Sequence, residues 1–185
     1  MGYAIADAAR SVSPNVILVS GPTALTPPKN VEFLSVTTAQ EMADAVWNRF
    51  NNADICIMAA AVCDFRPKST AAQKLKKDTF AGTLALGPTP DILAELGRRK
   101  QRQVLIGFAV ETEDIESRAR QKLAQKRLDF IVANDAGAFD AETNRVTLIA
   151  NDGKIERFSE MPKTEVATMI VERAVQVAGL SGSIR

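Results

Sequence analysis

The chain has 185 residues, 46% of them apolar, and its 23 basic and 22 acidic residues nearly cancel. This size suits one domain with a real core, and the balanced charge gives no overall field toward nucleic acid or a membrane. The lack of histidine excludes a Ser-His-Asp triad, a Cys-His pair and a histidine metal site within this chain. Cys56 and Cys63 match neither a disulfide framework nor a zinc spacing, which predicts a reduced, cytoplasmic protein. The sequence shows no apolar run long enough to span a bilayer.

Segments of helix length alternate with apolar segments of strand length along the chain. Thr38 and Glu41 form a capping box that starts one helix. Asp152-Gly153 predicts a two-residue hairpin turn. The predicted helices cover residues 3–12, 38–50, 89–100, 113–127 and 162–178. The predicted strands cover residues 16–19, 31–36, 53–62, 83–86, 104–110, 129–133, 145–150 and 155–158.

This alternation predicts an α/β fold, a Rossmann-like three-layer sandwich with a mostly parallel sheet and a late antiparallel hairpin. We expect residues 1–180 to form a single domain and residues 181–185 to form a flexible tail. No Gly-x-Gly-x-x-Gly turn follows a strand, so an NAD-type Rossmann protein is the weakest of the functional interpretations.

The predicted strand at 53–62 breaks abruptly into charge. It is apolar on both faces, as buried parallel strands are, and Asp64 follows it, with lysines at 74, 76 and 77 in the next loop. A carboxylate at the carboxyl end of such a strand, with nearby lysines, suits a metal ion and phosphates. The alternative is a buried strand followed by an ordinary solvated loop, which these residues alone slightly favour.

Polar residues also follow the strands that end near residues 87, 110 and 133. Thr89-Pro90-Asp91 begins a helix, with Pro90 at a first-turn position, and presents free N–H groups to an anion or a base edge. A plain helix cap is the simpler alternative there. The pairs 111–112 and 134–135 belong to the same predicted edge of the sheet, where ligands bind in such folds.

Two lysines and one aromatic residue complete the candidate set. Lys122 and Lys126 flank the apolar stripe of a predicted helix. They either point into a phosphate-binding cleft or lie along the edge of the stripe, near the negative end of the helix dipole. Phe108 lies inside a strand, where a core position is the default and a wall beside a nucleotide base is the alternative.

The ordered set of these segments resembles the phosphopantothenoylcysteine synthetase family of coenzyme A biosynthesis, in many bacteria the C-terminal half of a fused flavoprotein. No single piece is decisive, but together the pieces cover nearly the whole chain in family order. The matching segments are residues 1–6, 18–22, 59–65, 74–77, 90–92, 107–112, 129–135 and 144–149.

The resemblance implies a two-step ligation. CTP activates 4′-phosphopantothenate as an acyl-cytidylate and releases pyrophosphate, and the amine of L-cysteine then attacks and releases CMP. A triphosphate requires Mg²⁺ and cationic side chains to balance the charge that develops. The resemblance also implies a homodimer and a flavoprotein decarboxylase as partner or fusion. The alternative is a non-catalytic nucleotide-binding or interaction module.

The resemblance assigns roles by position in this chain. Asp64 takes the position that holds the metal ion and CTP, and Lys74 the position of a lysine that contacts the nucleotide and supports catalysis. The remaining nucleotide-binding positions are Met58, Ala59 and Ala60 through their backbone, Thr89, Pro90, Asp91, Ile92 and Phe108 around the base and ribose, and Lys122 and Lys126.

The sequence departs from the family pattern in three places. Thr89 stands where the family usually has asparagine, and the stretch from 135 to 144 is short. Family members also have a strand and a Ser-Ser-Gly loop before the equivalent of Met1, with an asparagine credited with stabilising the acyl-cytidylate. That strand would lie centrally in the sheet, so we expect unpaired backbone here and weak or absent synthetase activity from this chain alone.

Overall fold

The structure, a computed structural model, describes residues 1–71, 73–74, 76, 82–111, 115–135 and 143–180. Predictions that fall on residues 75, 77, 112–114 and 181–185 lie outside these ranges. The helices are α1 (Gly2–Ala9), α2 (Ala39–Phe50), α3 (Ile92–Arg99), α4 (Ile115–Gln125) and α5 (Lys163–Val177). The strands are β1 (Ile17–Ser20), β2 (Glu32–Ser35), β3 (Ile55–Met58), β4 (Phe65–Pro67), β5 (Leu86–Pro88), β6 (Val104–Glu111), β7 (Phe130–Asp135), β8 (Thr143–Asn144), β9 (Val146–Ala150), β10 (Ile155–Arg157) and β11 (Met161–Pro162).

The largest sheet has five strands in the order β10-β9-β7-β6-β3. β3, β6 and β7 run parallel, whereas β9 and β10 are antiparallel to their neighbours. β1 and β2 form a separate parallel pair. Two further antiparallel pairs, β4–β5 and β8–β11, lie outside the large sheet. The predicted α/β class, with parallel strands followed by a late antiparallel hairpin, is confirmed.

Helices cover both faces of the sheet because successive strand residues are apolar on opposite sides. In β6, Leu105 joins a first core that α2, α3 and α4 cover, and Ile106 joins a second core beneath α1 and α5. Both side chains are fully buried. The result is the predicted three-layer sandwich.

Two helix starts follow directly from side-chain chemistry. Thr38 Oγ1 accepts the Glu41 N–H at 3.1 Å, and the Glu41 carboxylate accepts the Thr38 N–H at 3.2 Å, so the predicted capping box is confirmed. At α3, the carboxylate of Asp91 accepts the Ala94 N–H at 3.0 Å. Asp91 is therefore the cap, and Pro90 precedes the helix instead of occupying the predicted first-turn position.

Three strand predictions need correction. β3 is only four residues long, half-buried, and lies at the edge of its sheet because β6 is its only partner among the described strands. The strand expected at 83–86 lies at Leu86–Pro88, where it pairs with Phe65–Pro67. The late hairpin has a three-residue loop: the Gly153 N–H bonds to Ala150 O at 3.1 Å, and Gly153 takes φ +91° to close it. Of the described helices, none is both long and apolar enough to cross a bilayer.

Candidate functional site

The carboxyl ends of β3, β6 and β7 lie at one edge of the sheet because the three strands are parallel. Met58 ends β3 and is half-buried against the first core. Ala59 follows it, half-buried against the second core, and Ala60 is exposed. The side chains that follow β3 are small, and the predicted backbone contact of Met58, Ala59 and Ala60 with a nucleotide stays a prediction.

The β4–β5 ribbon brings the loop after β3 to the start of α3. The Thr89 N–H donates to Asp64 O at 2.9 Å, and the Thr89 hydroxyl donates to Cys63 O. Thr89, the position that departs from the family pattern, thus fixes the loop that carries Asp64. The Asp64 side chain itself is exposed, which leaves it accessible to a ligand.

Asp91 and Lys126 connect the start of α3 to the end of α4. Lys126 Nζ lies 3.0 Å from Asp91 Oδ1 and 2.9 Å from Asp91 Oδ2. Partial burial raises the pKa of Asp91, but the hydrogen bond from Ala94 N–H and the charges of Lys126 and Lys122 outweigh it, so the pKa falls below its ordinary value. Asp91 therefore stays ionised and holds Lys126 at this edge.

Lys122 binds the backbone of β6 just past the point where β3 ends. Its Nζ donates to the Phe108 carbonyl at 2.6 Å. β3 ends at Met58, opposite Gly107, so the Phe108 carbonyl has no β3 residue directly opposite it. The ammonium group of Lys122 takes that place, which positions a cation next to the end of β3.

Lys122 and Lys126 both make bonds to the protein at the carboxyl edge of the sheet. Both reach the carboxyl edge, as the phosphate-cleft interpretation requires, but each also bonds to the protein there, Lys122 to Phe108 O and Lys126 to Asp91. Lys126 lies just beyond α4, with its N–H bonded to Lys122 O at 3.0 Å. The two ammonium groups are therefore positioned before any ligand arrives.

The remaining predicted residues divide between core and solvent. The side chain of Ile92 is 3% exposed and packs in the first core, so only the backbone of this residue can face a ligand at the carboxyl edge. Phe108 is half-buried against the second core, and its predicted place beside the base and ribose stays a prediction. Lys74 is exposed. Among the described residues, no contact joins Lys74 to the cluster at the carboxyl edge, which consists of Asp64, Asp91, Lys122 and Lys126.

The donor set fits a metal ion only in combination with phosphates. Within the described ranges, no group of three or more His, Cys, Asp and Glu side chains converges as a cation site. One exposed carboxylate, Asp64, with ligand oxygens supplied by a triphosphate matches the usual coordination of Mg²⁺, which keeps few protein ligands. A closed protein cage is not formed by these residues.

One polar residue at this edge was not among the predicted site residues. Asn134 follows Ala133 near the end of β7, and its buried Oδ1 has no hydrogen-bond partner among the described residues. A buried, unpartnered carbonyl oxygen is costly and is often completed by a ligand or water. The signal in the sequence was its position at a strand end, beside other polar exits.

A cavity of about 360 Å³ lies at the opposite edge of the sheet, where β6 and β7 begin. Predicted site residues do not line it. Its lining residues are Lys100, Gln101, Leu123, Ala124, Arg127, Leu128 and Asn151. In open α/β sheets, ligands bind at the carboxyl ends of the strands, so we place the functional site at the edge with Asp64 and Asp91.

The fold and its charged carboxyl edge define a Rossmann-like α/β protein with its site beyond the parallel strands. The chain belongs to the family described as the DNA/pantothenate metabolism flavoprotein C-terminal domain, whose model matches residues 1–177. This confirms the family resemblance drawn from the sequence.

Relatives of known name agree with this membership. Coenzyme A biosynthesis bifunctional protein CoaBC of Bacillus subtilis (strain 168) is 46% identical over 186 residues, covering 98% of this chain and 45% of the relative. A protein named cysteine/cysteine sulfinic acid decarboxylase, from an unknown prokaryotic organism, is 43% identical over 179 residues, covering 94% of this chain and 50% of the relative. The chain spans about half the length of these curated relatives.

A solved structure shows the same architecture. The crystal structure of the C-terminal domain of coenzyme A biosynthesis bifunctional protein CoaBC is similar to this chain with a TM-score of 0.81 and 40% sequence identity. The likeness covers 97% of this chain and 81% of that one.

Proposed function

We propose that this chain is the nucleotide-binding part of a phosphopantothenate–cysteine ligase in coenzyme A biosynthesis. One observation carries the proposal. In a member of this family, Asp64, Thr89, Asp91, Lys126, Lys122 and Phe108 are brought to one edge of the sheet by direct contacts between neighbouring segments. That edge offers two cations, one exposed carboxylate and open backbone, which is what a nucleoside triphosphate requires.

The proposed reaction uses CTP. A carboxylate oxygen of 4′-phosphopantothenate bonds to the α-phosphorus of CTP, and the bond to the β-phosphate bridging oxygen breaks, releasing pyrophosphate. The nitrogen of L-cysteine then bonds to the acyl carbon, loses a proton, and CMP leaves with the electrons of the broken C–O bond. Both steps put charge on phosphate oxygens, where fixed cations lower the barrier.

The residues have separate tasks in this proposal. Lys122 and Lys126, held by Phe108 O and Asp91, face the phosphates. Asp64 is the ligand for Mg²⁺, which when bound would screen the charge of the triphosphate. Met58, Ala59 and Ala60 lie along the nucleotide with their backbone, and the segment Thr89–Ile92 and Phe108 flank the base and ribose. Exposed Lys74 reaches the reacting phosphate and acts in catalysis.

Binding and pyrophosphate release test this proposal together. CTP and ATP are titrated calorimetrically against the chain and its Lys74→Ala, Asp64→Asn and Lys29→Ala variants, with and without Mg²⁺. We expect CTP to bind more tightly than ATP, and Lys74→Ala and Asp64→Asn to weaken CTP binding at least about tenfold. Lys29 is exposed before β2, at the other edge, so its variant is the matched control. Failure of both nucleotides to bind would contradict the proposal.

A second candidate is a binding module without chemistry. The chain spans about half of its bifunctional relatives, and one relative is named a decarboxylase. In this version the chain binds CTP and docks on a flavoprotein decarboxylase, while turnover requires further polypeptide. CTP binding without pyrophosphate release, in the presence of 4′-phosphopantothenate and cysteine, supports this candidate over an active ligase.

A homodimer is the proposed assembly, and the β4–β5 ribbon is the proposed interface. Phe65 and Leu86 on that ribbon are 63% and 50% exposed, and Leu84 beside it is 58% exposed. Exposed apolar side chains clustered on one ribbon are typical of an interaction surface. Analytical ultracentrifugation of the chain and of Phe65→Ser tests this, because the variant should shift the equilibrium to monomer.

A further inference from the structure

Three segments surround the cavity of about 360 Å³ at the edge of the sheet where β6 and β7 begin, here called the amino edge. Lys100 and Gln101 follow α3 there, the turn after α4 passes beside them, and Asn151 follows β9. The volume lies at the lower end of the range for small-molecule sites, roughly 300–1,000 Å³. Asp64 and Thr89 lie at the other end of the parallel strands, so a ligand in this cavity is distinct from the proposed nucleotide.

Asp129, just before β7, joins the walls of the cavity. Its Oδ2 lies 2.5 Å from Lys100 Nζ, and its backbone carbonyl accepts the Asn151 N–H at 2.9 Å. Lys100 Nζ also donates to the Arg127 carbonyl at 3.3 Å. Direct bonds therefore hold the three segments together, and the cavity exists without a ligand. A preformed site loses less free energy to ordering when a ligand binds.

The buried side of the cavity is apolar. Leu123 and Leu128 line it, and they are only 9% and 2% exposed. Ala124 lines it between them with a small side chain, which leaves room for a ligand. A molecule that covers these three side chains gains free energy in proportion to its own apolar surface. This side of the cavity therefore favours a ligand with an apolar body.

The solvent side of the cavity carries polar groups that the protein does not use. Gln101, Arg127 and Asn151 are exposed there. Within the ranges that the structure describes, the side chains of these three residues make no hydrogen bond and no ion pair. The charge of Lys100, in contrast, is matched by Asp129. The cavity thus presents one unmatched positive charge beside two free amide groups.

Arg127 follows α4 in a backbone conformation that usually belongs to glycine. Its φ is +52°, in the left-handed region. The Leu128 N–H bonds to Leu123 O at 3.0 Å, and the Arg127 N–H bonds to Ala124 O at 3.3 Å. These two bonds form a Schellman motif, in which glycine is the usual residue at this position because other residues are strained there. The strain is retained at a residue whose side chain lines the cavity, and such outliers often mark functional positions.

We propose that the cavity at the amino edge binds a small organic carboxylate with an aliphatic body. The guanidinium of Arg127 donates two parallel N–H bonds to the carboxylate, a geometry that arginine favours. The amide groups of Gln101 and Asn151 donate to its remaining lone pairs, and the aliphatic part covers Leu123 and Leu128. This site does not depend on the proposed nucleotide chemistry.

The charge of the cavity selects a carboxylate over a phosphate. One unmatched guanidinium balances one negative charge, and a carboxylate carries one at neutral pH. A phosphate monoester is close to doubly charged there, since its second pKa is about 6. Lys100 cannot balance the second charge without giving up Asp129, which would then keep a nearly buried and unpaired carboxylate.

Titration of the isotope-labelled chain with sodium hexanoate at pH 7, followed by amide NMR shifts at constant ionic strength, tests the proposal. We expect the amides of Gln101, Asn151 and residues 123–128 to shift together, with a dissociation constant of about 1 mM. Acetate supplies the charge without the aliphatic body, and 1-hexanol supplies the body without the charge. Both should bind at least about tenfold more weakly than hexanoate.

Two variants at one position separate the side chain from the backbone. Arg127→Ala and Arg127→Gly both remove the guanidinium, so each should weaken hexanoate binding about tenfold or more. Glycine also relieves the left-handed backbone, so Arg127→Gly should keep its thermal midpoint within about 3 °C of the wild type or above it. Arg120→Ala is the matched control, because Arg120 is exposed on α4 and does not line the cavity. It should bind hexanoate as the wild type does.

Three results would overturn the proposal. The first is no binding of hexanoate at about 50 mM, or shifts around Asp64 and Thr89 instead of around the cavity. The second is binding of acetate or 1-hexanol as tight as that of hexanoate. The third is wild-type affinity in a folded Arg127→Gly protein. The readout is independent of CTP binding and turnover, so failure of the proposed function would leave it unchanged.

Discussion

Lys126 holds both carboxylate oxygens of Asp91 at the cap of α3, at 3.0 and 2.9 Å. The same carboxylate accepts the Ala94 N–H at 3.0 Å. One side chain thus starts a helix and fixes a cation that belongs to another helix. The capping and ion-pair contributions can be separated, because asparagine caps helices as well as aspartate does.

Replacing Asp91 should therefore cost stability in two steps. Asp91→Asn keeps the cap and removes only a partly exposed ion pair, so we expect a loss of at most about 0.5 kcal/mol in the free energy of unfolding. Asp91→Ala removes both, with about 1 kcal/mol more from the lost cap. Urea denaturation at pH 7 measures the three proteins. Equal stability of the alanine and asparagine variants would mean that the cap contributes nothing.

The ion pair should also give a pH dependence of known sign. Since the pKa of Asp91 is lowered in the folded state, the unfolded chain binds a proton at this carboxylate at a higher pH than the folded protein does. The stabilisation by this carboxylate is complete above its ordinary pKa of about 3.9 and is lost as the pH falls through the folded value. The difference in unfolding free energy between the wild type and Asp91→Asn should be constant from pH 7 to 5 and shrink below pH 4. A difference that grows with acid would contradict the assignment.

Close packing of two backbones also positions Lys126. A Cβ on Gly97 in α3 would overlap the Lys126 carbonyl oxygen and lie 2.8 Å from its carbonyl carbon. Alanine has the better helix propensity by about 1 kcal/mol, but backbone cannot move aside cheaply. We expect Gly97→Ala to destabilise the protein by about 1–3 kcal/mol and to weaken CTP binding through Lys126.

Gly21→Ala is the matched control for Gly97→Ala, because a Cβ there would meet no atom within 4 Å. It should leave the thermal midpoint and CTP binding nearly unchanged. A Gly97→Ala protein as stable as this control would mean that the two backbones are not held at the described separation.

Local chemistry explains which parts of the fold the sequence could predict. The capping box at Thr38 involves two residues three positions apart, and neighbouring residues of β6 face opposite cores. Both patterns lie within one short segment, so the sequence shows them directly. The existence of the late hairpin was equally local. Its loop length was wrong because the same Asp-Gly pair suits two turn geometries, and the pairing of Ala150 with Lys154 selects the longer one.

Long-range pairing explains most of what the sequence missed. β4 includes Pro67, which argues against a central strand, and it forms only because β5 lies beside it as a two-stranded ribbon. β3 is apolar on both faces, which predicts a central strand, but in the structure it lies at the edge of its sheet. Its position depends on which strands pair with it, and the sequence of β3 alone does not determine that. The sequence left Lys122 either in a phosphate-binding cleft or along the edge of an apolar stripe, and its partner, a backbone carbonyl in β6, is visible only in three dimensions.

The two cysteines should differ sharply in reactivity. Burial raises the pKa of Cys56 to about 12, because its thiol packs in the first core even though the residue is partly exposed. Cys63 is exposed in the loop that carries Asp64. With a disulfide reagent at pH 8, we expect one thiol per chain to react rapidly and the second only on unfolding. A Cys63→Ser protein should lose the rapid phase; if the rapid phase remained, Cys56 would not be buried.

The ion pair between Lys100 and Asp129 should be the strongest in the described chain. Their side chains are 16% and 15% exposed, and Lys100 Nζ lies 2.5 Å from Asp129 Oδ2, which also accepts the Leu105 N–H at 2.7 Å. Removing one partner leaves a nearly buried charge, so Lys100→Met should cost about 3 kcal/mol in the free energy of unfolding. A double-mutant cycle with Asp129→Asn should give a coupling energy above about 1 kcal/mol.

A nearby exposed pair gives the control for that cycle. Arg102 and Asp54 lie 3.5 Å apart, with side chains 75% and 57% exposed. Solvent screens this pair, so its coupling energy should stay below about 0.5 kcal/mol and fall further in high salt. If both cycles gave the same small coupling energy, burial would not strengthen the Lys100–Asp129 pair. The contribution of Asp129 to stability would then come from its hydrogen bond with the Leu105 N–H at the start of β6.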